Sequence, residues 1–174
     1  MTGKTFLNGV TNSRKDIVQL LLSLLQETGS AYCVIGGLAV NAYAEPVVSL
    51  DLDLVVVSDR IETLREAARS KGMKVQQFEH SINLSTGESD LRIQIQTDIR
   101  YQDFLPHAER RNVLGYEMFV ANLRDVLRGK VWAYSDETRR KSKRQKDLAD
   151  IMRLVETHHE LQHDLPAEIL AQLD

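Results

Sequence analysis

Two short runs in the first third of the chain have the residue types and spacing for chemistry on a phosphate ester. Ile35-Gly36-Gly37-Leu38 puts a glycine pair where a strand can turn into a helix. Such a turn brings backbone N–H groups up against a phosphate. Further on, Leu50-Asp51-Leu52-Asp53-Leu54-Val55-Val56-Val57 sets two aspartates at i and i+2 inside an apolar strand. Residues so spaced point to one face, with Cα atoms about 6.6–6.8 Å apart. Both carboxylates can then lean onto one hard cation. Carboxylates among Leu and Val side chains are costly unless paired or bound to a cation, so solubility does not explain them. The competing reading has both acids near a strand end, satisfied by backbone N–H groups or arginines. The glycine pair alone is a feature of many turns. Together, a phosphate cradle and a cation clamp are the minimum equipment for chemistry on a nucleoside triphosphate.

The elements that must position these residues follow from periodicity and breakers. Asn12 and Ser13 are candidate N-caps for a helix through Glu27, with Ile17, Leu20, Leu21, Leu24 and Leu25 at helical spacing and Gly29 beyond it. Residues 32–35 read as a short buried strand, 38–44 as a helix ended by Pro46, 50–57 as the second strand, and 61–70 as a helix. Strand candidates follow at 73–80 and 81–85. Residues 90–96 alternate, with Leu91, Ile93 and Ile95 on one face and Arg92, Gln94 and Gln96 on the other. After Pro106 we expect a short helix, a strand at 118–120, a helix over 123–134, and helical structure from 136 to 173 in which Pro166 starts a last helix. Helices alternating with strands, then strands in succession, predict a mixed α/β (α+β) fold. Its core, residues 1–134, is a small mixed sheet flanked by helices, with residues 135–174 as a helical extension packed on it.

Composition narrows the function classes. The 174 residues are 43% hydrophobic and 27% charged, ordinary for a globular domain, and the net charge of −3 gives no global attraction to nucleic acid or anionic membranes. The apolar run 17–25 is too short and too broken to span a bilayer. Cys33, alone, forms no internal disulfide, and nothing at the start reads as a signal segment, so a cytoplasmic location is expected. His158, His159 and His163 lack a Cys or acidic partner at ligand spacing and read as helix-surface residues. The spacing G-x-G-x-x-G of dinucleotide-binding folds is absent.

An apolar residue, Gly-Gly, a spacer and Asp-x-Asp among apolar residues resembles the signature of the DNA polymerase β-like nucleotidyltransferase superfamily. Thirteen residues separate Gly37 from Asp51, at the long end for that signature. Ser49 matches its small hydroxyl residue, while Val47 departs from its frequent arginine. Leu123-Arg124-Asp125-Val126-Leu127-Arg128-Gly129-Lys130 and Arg144-Gln145-Lys146-Asp147-Leu148-Ala149-Asp150-Ile151 resemble the closing motifs of the AbiEii-type branch, which contains toxin components of bacterial toxin–antitoxin and phage-defence systems. The resemblance implies catalytic roles for Asp51, Asp53, Lys130 and Asp147. It implies nucleotide binding by Gly36, Gly37, Ser49, Arg144 and Lys146, and Mg²⁺ or Mn²⁺ held by Asp51 and Asp53. Lys130 would be a mobile charge for phosphate oxygens. Asp147, opposite the apolar stripe Leu148, Ile151, Leu154 and Val155, reads as a non-core residue that orients Lys130, activates an acceptor hydroxyl, or pairs with Arg144 or Lys143.

The third carboxylate common in that superfamily has no obvious counterpart. Gln94 and Gln96 occupy the polar face of the strand over 90–96, so Asp90 is the candidate, and without it the site holds one cation at most. Six of the eight residues from Arg139 to Lys146 are basic, either a solvated face or a grip on a polyanionic acceptor such as tRNA. The implied activity is transfer of an NMP group from an NTP to a hydroxyl on RNA, protein or a small molecule, with an antitoxin as partner. The alternative is a degenerate nucleotidyltransferase fold that binds nucleotide or protein without turnover.

Overall fold

The computed structural model describes residues 1–173. Helix α1 (Gly3–Val10) is capped by the Thr2 hydroxyl and was not foreseen in the sequence. Helix α2 (Ile17–Glu27) is capped by Asp16, whose carboxylate accepts from the Gln19 N–H. Asn12 and Ser13 are therefore not its caps, and Asn12 instead turns the chain after α1 with φ +49°. Strand β1 (Tyr32–Ile35) runs straight into helix α3 (Gly36–Val40), shorter than the expected 38–44. Strand β2 (Asp51–Val56), helix α4 (Ile61–Ser70), and strands β3 (Lys74–Gln77), β4 (Ser81–Thr86) and β5 (Ser89–Gln96) follow.

A 3₁₀ stretch, Ile99–His107, contains Pro106, and the chain then enters strand β6 (Glu109–Val113) where a short helix was expected. Strand β7 (Tyr116–Val120) returns antiparallel through Leu114-Gly115, both at positive φ. Positive φ at both turn residues matches the twist of a two-residue hairpin. Helices α5 (Leu123–Ser135), α6 (Lys141–Thr157) and α7 (Ala167–Leu170) close the chain, with a 3₁₀ stretch His159–Asp164 between the last two.

The seven strands form one mixed sheet in the order β3-β4-β5-β2-β1-β7-β6. β2 pairs antiparallel with β1 and parallel with β5, and β1 pairs parallel with β7. The register sets Ile35 beside Asp53, Asp51 beside Arg92, and Asp53 beside Gln94. Leu52, Leu54, Leu91, Ile93 and Ile95 fill the opposite face and are buried, as the alternation requires. α2 and α4 touch one another and bury Leu21, Leu24, Leu64 and Ala68. α3, α5 and α6 are mutually in contact and close over the aspartate end of the sheet. No helix among the described residues is long and apolar enough to cross a membrane.

Candidate active site

The turn from β1 into α3 fixes the first part of the site. Gly36 has φ +69°, a region L side chains rarely adopt, and a Cβ there would sit 2.4 Å from Asp53 Oδ2. Only glycine allows this backbone and the Asp53 carboxylate to lie so close. Gly37 is under less constraint, its missing Cβ 3.7 Å from Ser49 Oγ. Ser49 is buried and ties down the start of β2, its hydroxyl accepting from the Asp51 N–H at 3.2 Å and donating to the Asp51 carbonyl at 3.1 Å. No side chain caps α3, so the N–H groups at the glycine pair are not taken by a capping side chain.

Both aspartates line a cleft of about 160 Å³ with Gln94, Gln96, Tyr101, Lys130, Arg139, Lys143 and Asp147. Their environments differ. Asp51 Oδ1 accepts from Arg92 Nε at 2.7 Å, and Lys143 Nζ stands 3.6 Å from Oδ2. Asp53 has no such partner among the described residues. Burial, with the Asp51 charge adding and Lys130 opposing, pushes its carboxyl from the ordinary 3.8 up to about 6. An uncompensated carboxylate beside a second one is an environment that a divalent cation would relieve.

Lys130 projects from α5 into the cleft and is 7% exposed. Its Nζ donates to Asp147 Oδ1 at 3.0 Å and lies 2.7 Å from Asp150 Oδ2. Burial disfavours its charge, but Asp150 and Asp147 outweigh that and hold its pKa above the ordinary value. Lys130 is thus a fixed cation, where the sequence suggested a mobile one. Asp147 is likewise corrected: it is buried, not a surface residue, and its second oxygen accepts from Arg139 Nε at 2.7 Å. The expectation that it orients Lys130 fits this geometry, while neither Arg144 nor Lys143 pairs with it.

The ion network continues outward. Arg153 donates to Asp150 Oδ1 at 2.8 Å, to Asn41 Oδ1 at 2.9 Å and to the Glu45 carbonyl. Asn41 in turn holds Val47, donating to its carbonyl at 2.7 Å and accepting from its N–H at 3.0 Å. Three ionised side chains, Lys130, Asp150 and Arg153, and the Asn41 amide therefore run from the cleft to the loop that enters β2.

Three expected site residues lie elsewhere. Arg144 donates to the Tyr134 carbonyl at 2.6 Å and stacks on its ring, closing the end of α5. Lys146 is exposed and outside the cleft lining, although its charge slightly favours ionised Asp53. Asp90 follows the alternation of Arg92 and Gln94 but sits beyond the cleft, accepting from the Asn12 amide. Among the described residues no group of three or more His, Cys, Asp or Glu side chains could hold a metal, and of the three acids lining the cleft Asp147 has both oxygens taken by Lys130 and Arg139, which leaves Asp51 and Asp53. Lys143, Arg139, Arg92 and Asp150 were given no catalytic, nucleotide-binding or metal role from sequence, although Arg139 and Lys143 lie in the basic run and Lys143 was one candidate partner for Asp147. Lys143 had a signal, since it stands one helical turn before Asp147 at i, i+4.

A wider groove of about 740 Å³ between α2 and the β6–β7 hairpin is lined by Leu22, Tyr32, Met118 and Phe119 and holds none of these acids.

The fold is similar to solved structures. The crystal structure of ANT(2")-Ia in complex with adenylyl-2"-tobramycin matches with a TM-score of 0.64 at 16% identity, over 90% of this chain and 92% of that one. Lincosamide antibiotic adenylyltransferase LnuA, lincomycin-bound, matches with a TM-score of 0.57 at 11% identity, over 82% and 99%. An antigenic nucleotidyltransferase-like protein from Paracoccidioides brasiliensis matches with a TM-score of 0.55 at 18% identity, over 90% and 84%. No curated protein matches by sequence. Residues 21–174 match the family described as "Nucleotidyl transferase AbiEii toxin, Type IV TA system", a span that takes in the glycine turn, both aspartates, Lys130 and the acids of α6. The chain therefore belongs to the AbiEii family of nucleotidyltransferases.

Proposed function

We propose that the protein transfers an NMP group from an NTP to an acceptor hydroxyl, with one divalent cation, Mg²⁺ or Mn²⁺, held by Asp51 and Asp53. The observation that carries this reading is the pair of carboxylates on one face of β2, one of them half-buried and without an ion-pair partner among the described residues, pressed against the Gly36 backbone. Two carboxylates suit a single hard cation whose other ligands come from phosphate oxygens and water. Such a cation, when bound, supplies charge neutralisation on the triphosphate.

The chain's own groups supply the rest. N–H groups at Gly36 and Gly37 orient phosphate oxygens at the turn. Lys130, held charged and immobile by Asp147 and Asp150, faces charge that builds on the transferred phosphorus and its leaving group. Both Asp147 oxygens already accept from cations, so Asp147 serves by positioning Lys130. The acceptor oxygen forms its bond to the α-phosphorus as the bond to pyrophosphate breaks, and the hydroxyl proton passes to solvent water.

The acceptor is a hydroxyl on RNA, protein or a small molecule. The small-molecule products and ligands named for ANT(2")-Ia and LnuA make antibiotics one candidate class. The family's description supports a toxin role with an antitoxin partner, and the need for NTP makes the cytoplasm the location we propose. Incubation with each labelled NTP, Mg²⁺ and total RNA or lysate tests the proposal. Metal-dependent label transfer or pyrophosphate release, lost in Asp51→Ala and Asp53→Ala, is the expected result. The second reading, a module that binds NTP without turnover, is favoured by Gln94 beside Asp53 and by Arg92 on Asp51. Binding without turnover under every condition would select it.

A further inference from the structure

Asp51 is a proposed cation ligand, yet both its oxygens already face protein cations. Arg92 reaches it from β5 at 2.7 Å, and Lys143 from α6 at 3.6 Å. Both are solvent-accessible, their side chains 62% and 41% exposed. Neither has another acidic partner among the described residues. Lys143 lines the cleft and Arg92 borders it through Asp51, while the other cations of the lining are committed elsewhere, Lys130 to Asp147 and Asp150, and Arg139 to Asp147. Arg92 and Lys143 are thus the cations at the site whose sole anion is the carboxylate that a metal needs.

We infer that Arg92 and Lys143 are exchangeable triphosphate ligands. They occupy Asp51 when the cleft is empty of substrate and transfer to phosphate oxygens when a metal–nucleotide complex enters. This inference rests on the nucleotidyl-transfer reading of the cleft. A divalent ion arriving alone must displace two cations from Asp51 and leave them with no anion nearby, an electrostatically unfavourable exchange. An ion arriving with a triphosphate brings the replacement anion. Arg92 presents a planar fork suited to two phosphate oxygens, whereas Lys143 is a flexible point charge suited to a terminal phosphate. Metal and triphosphate would therefore bind as one unit, and binding of the metal alone is suppressed.

The consequence has opposite signs for the two ligands, which a purely structural role for the pairs does not produce. Mn²⁺ alone and inorganic tripolyphosphate with saturating Mg²⁺ are titrated into the full chain by calorimetry, alongside Arg92→Gln, Lys143→Gln and the charge-retaining Arg92→Lys. For each Gln variant we expect Mn²⁺ to bind about threefold more tightly, the scale of an exposed ion pair removed. We expect tripolyphosphate to bind about tenfold more weakly, the scale of a lost charge-assisted contact. Arg92→Lys should lie between wild type and Arg92→Gln in both titrations, and melting curves report that each variant is folded. Wild-type protein that binds both ligands, with Gln variants that shift both affinities in one direction or neither, overturns the exchange and leaves the nucleotidyl-transfer reading standing. Wild-type protein that binds neither ligand overturns both.

Discussion

Asp53→Asn should make the folded protein more stable at neutral pH while abolishing catalysis. The carboxyl of Asp53 is held near pKa 6 in the fold against an ordinary 3.8, burial being the main cause. Between those two pH values the native state keeps a proton that the unfolded chain has released. Stability must then fall as pH rises through that window, and stay lowered above it. A displacement of about two pKa units corresponds to about 3 kcal/mol at pH 8 as an upper bound. Asparagine has nearly the same shape, fits beside Gly36, and carries no charge to desolvate. We expect the variant to exceed wild type by about 1–3 kcal/mol at pH 8, with the difference shrinking to near zero at pH 4. For a chain of this size that is a rise in Tm of about 2–10 °C at pH 8. Thermal melts across pH 4–8 read it directly, and Mg²⁺ added together with tripolyphosphate should raise the Tm of wild type more than that of the variant. A variant that melts below wild type at pH 8, or a difference that does not diminish towards pH 4, would refute the claim that Asp53 is an uncompensated carboxylate.

Two further substitutions probe the rest of the site. Gly36→Ala pushes a methyl group to within 2.4 Å of Asp53 Oδ2 from a left-handed backbone, and should cost about 1–3 kcal/mol with loss of transfer activity, whereas Gly37→Ala should be close to neutral in urea denaturation. Lys130→Met removes the cation shared by Asp147 and Asp150, two buried acids each left with one arginine, and should destabilise by about 3 kcal/mol in the same assay.

What could be read in the sequence was local. The strand-turn-helix at Gly36 and the alternation of Asp51 and Asp53 against Leu52 and Leu54 depend only on neighbouring backbone, and the structure places them as expected. The acids of α6 show where that ends. Leu148, Ile151, Leu154 and Val155 mark an apolar stripe, but the buried face is wider and includes Asp147 and Asp150, because α5 brings a lysine to meet them. Polar groups that bury each other leave no hydrophobic period. Arg144 and Lys146 fail for a matter of phase, each about 100° per residue away from the face that Lys143 and Asp147 share. Arg92 needed the register of β2 on β5, a pairing across 41 positions that no local pattern encodes. Strand β6 was missed because Glu109-Arg110-Arg111-Asn112 has no alternation at the sheet edge, and Leu114-Gly115 is not an Asn-Gly turn.

The bridge from Lys130 through Asp150, Arg153 and Asn41 to Val47 spans three parts of the chain that are far apart in sequence. One end is the cation of the cleft and the other is the segment that delivers the two acids into β2. Tension applied anywhere along it is felt at both ends. Prying α6 away would at once free the lysine and slacken the approach to Asp51, so the closing helix works as a tie-rod for the whole centre. A fragment that stops before residue 141 would contain the sequence of every strand and yet lack the acids that hold Lys130.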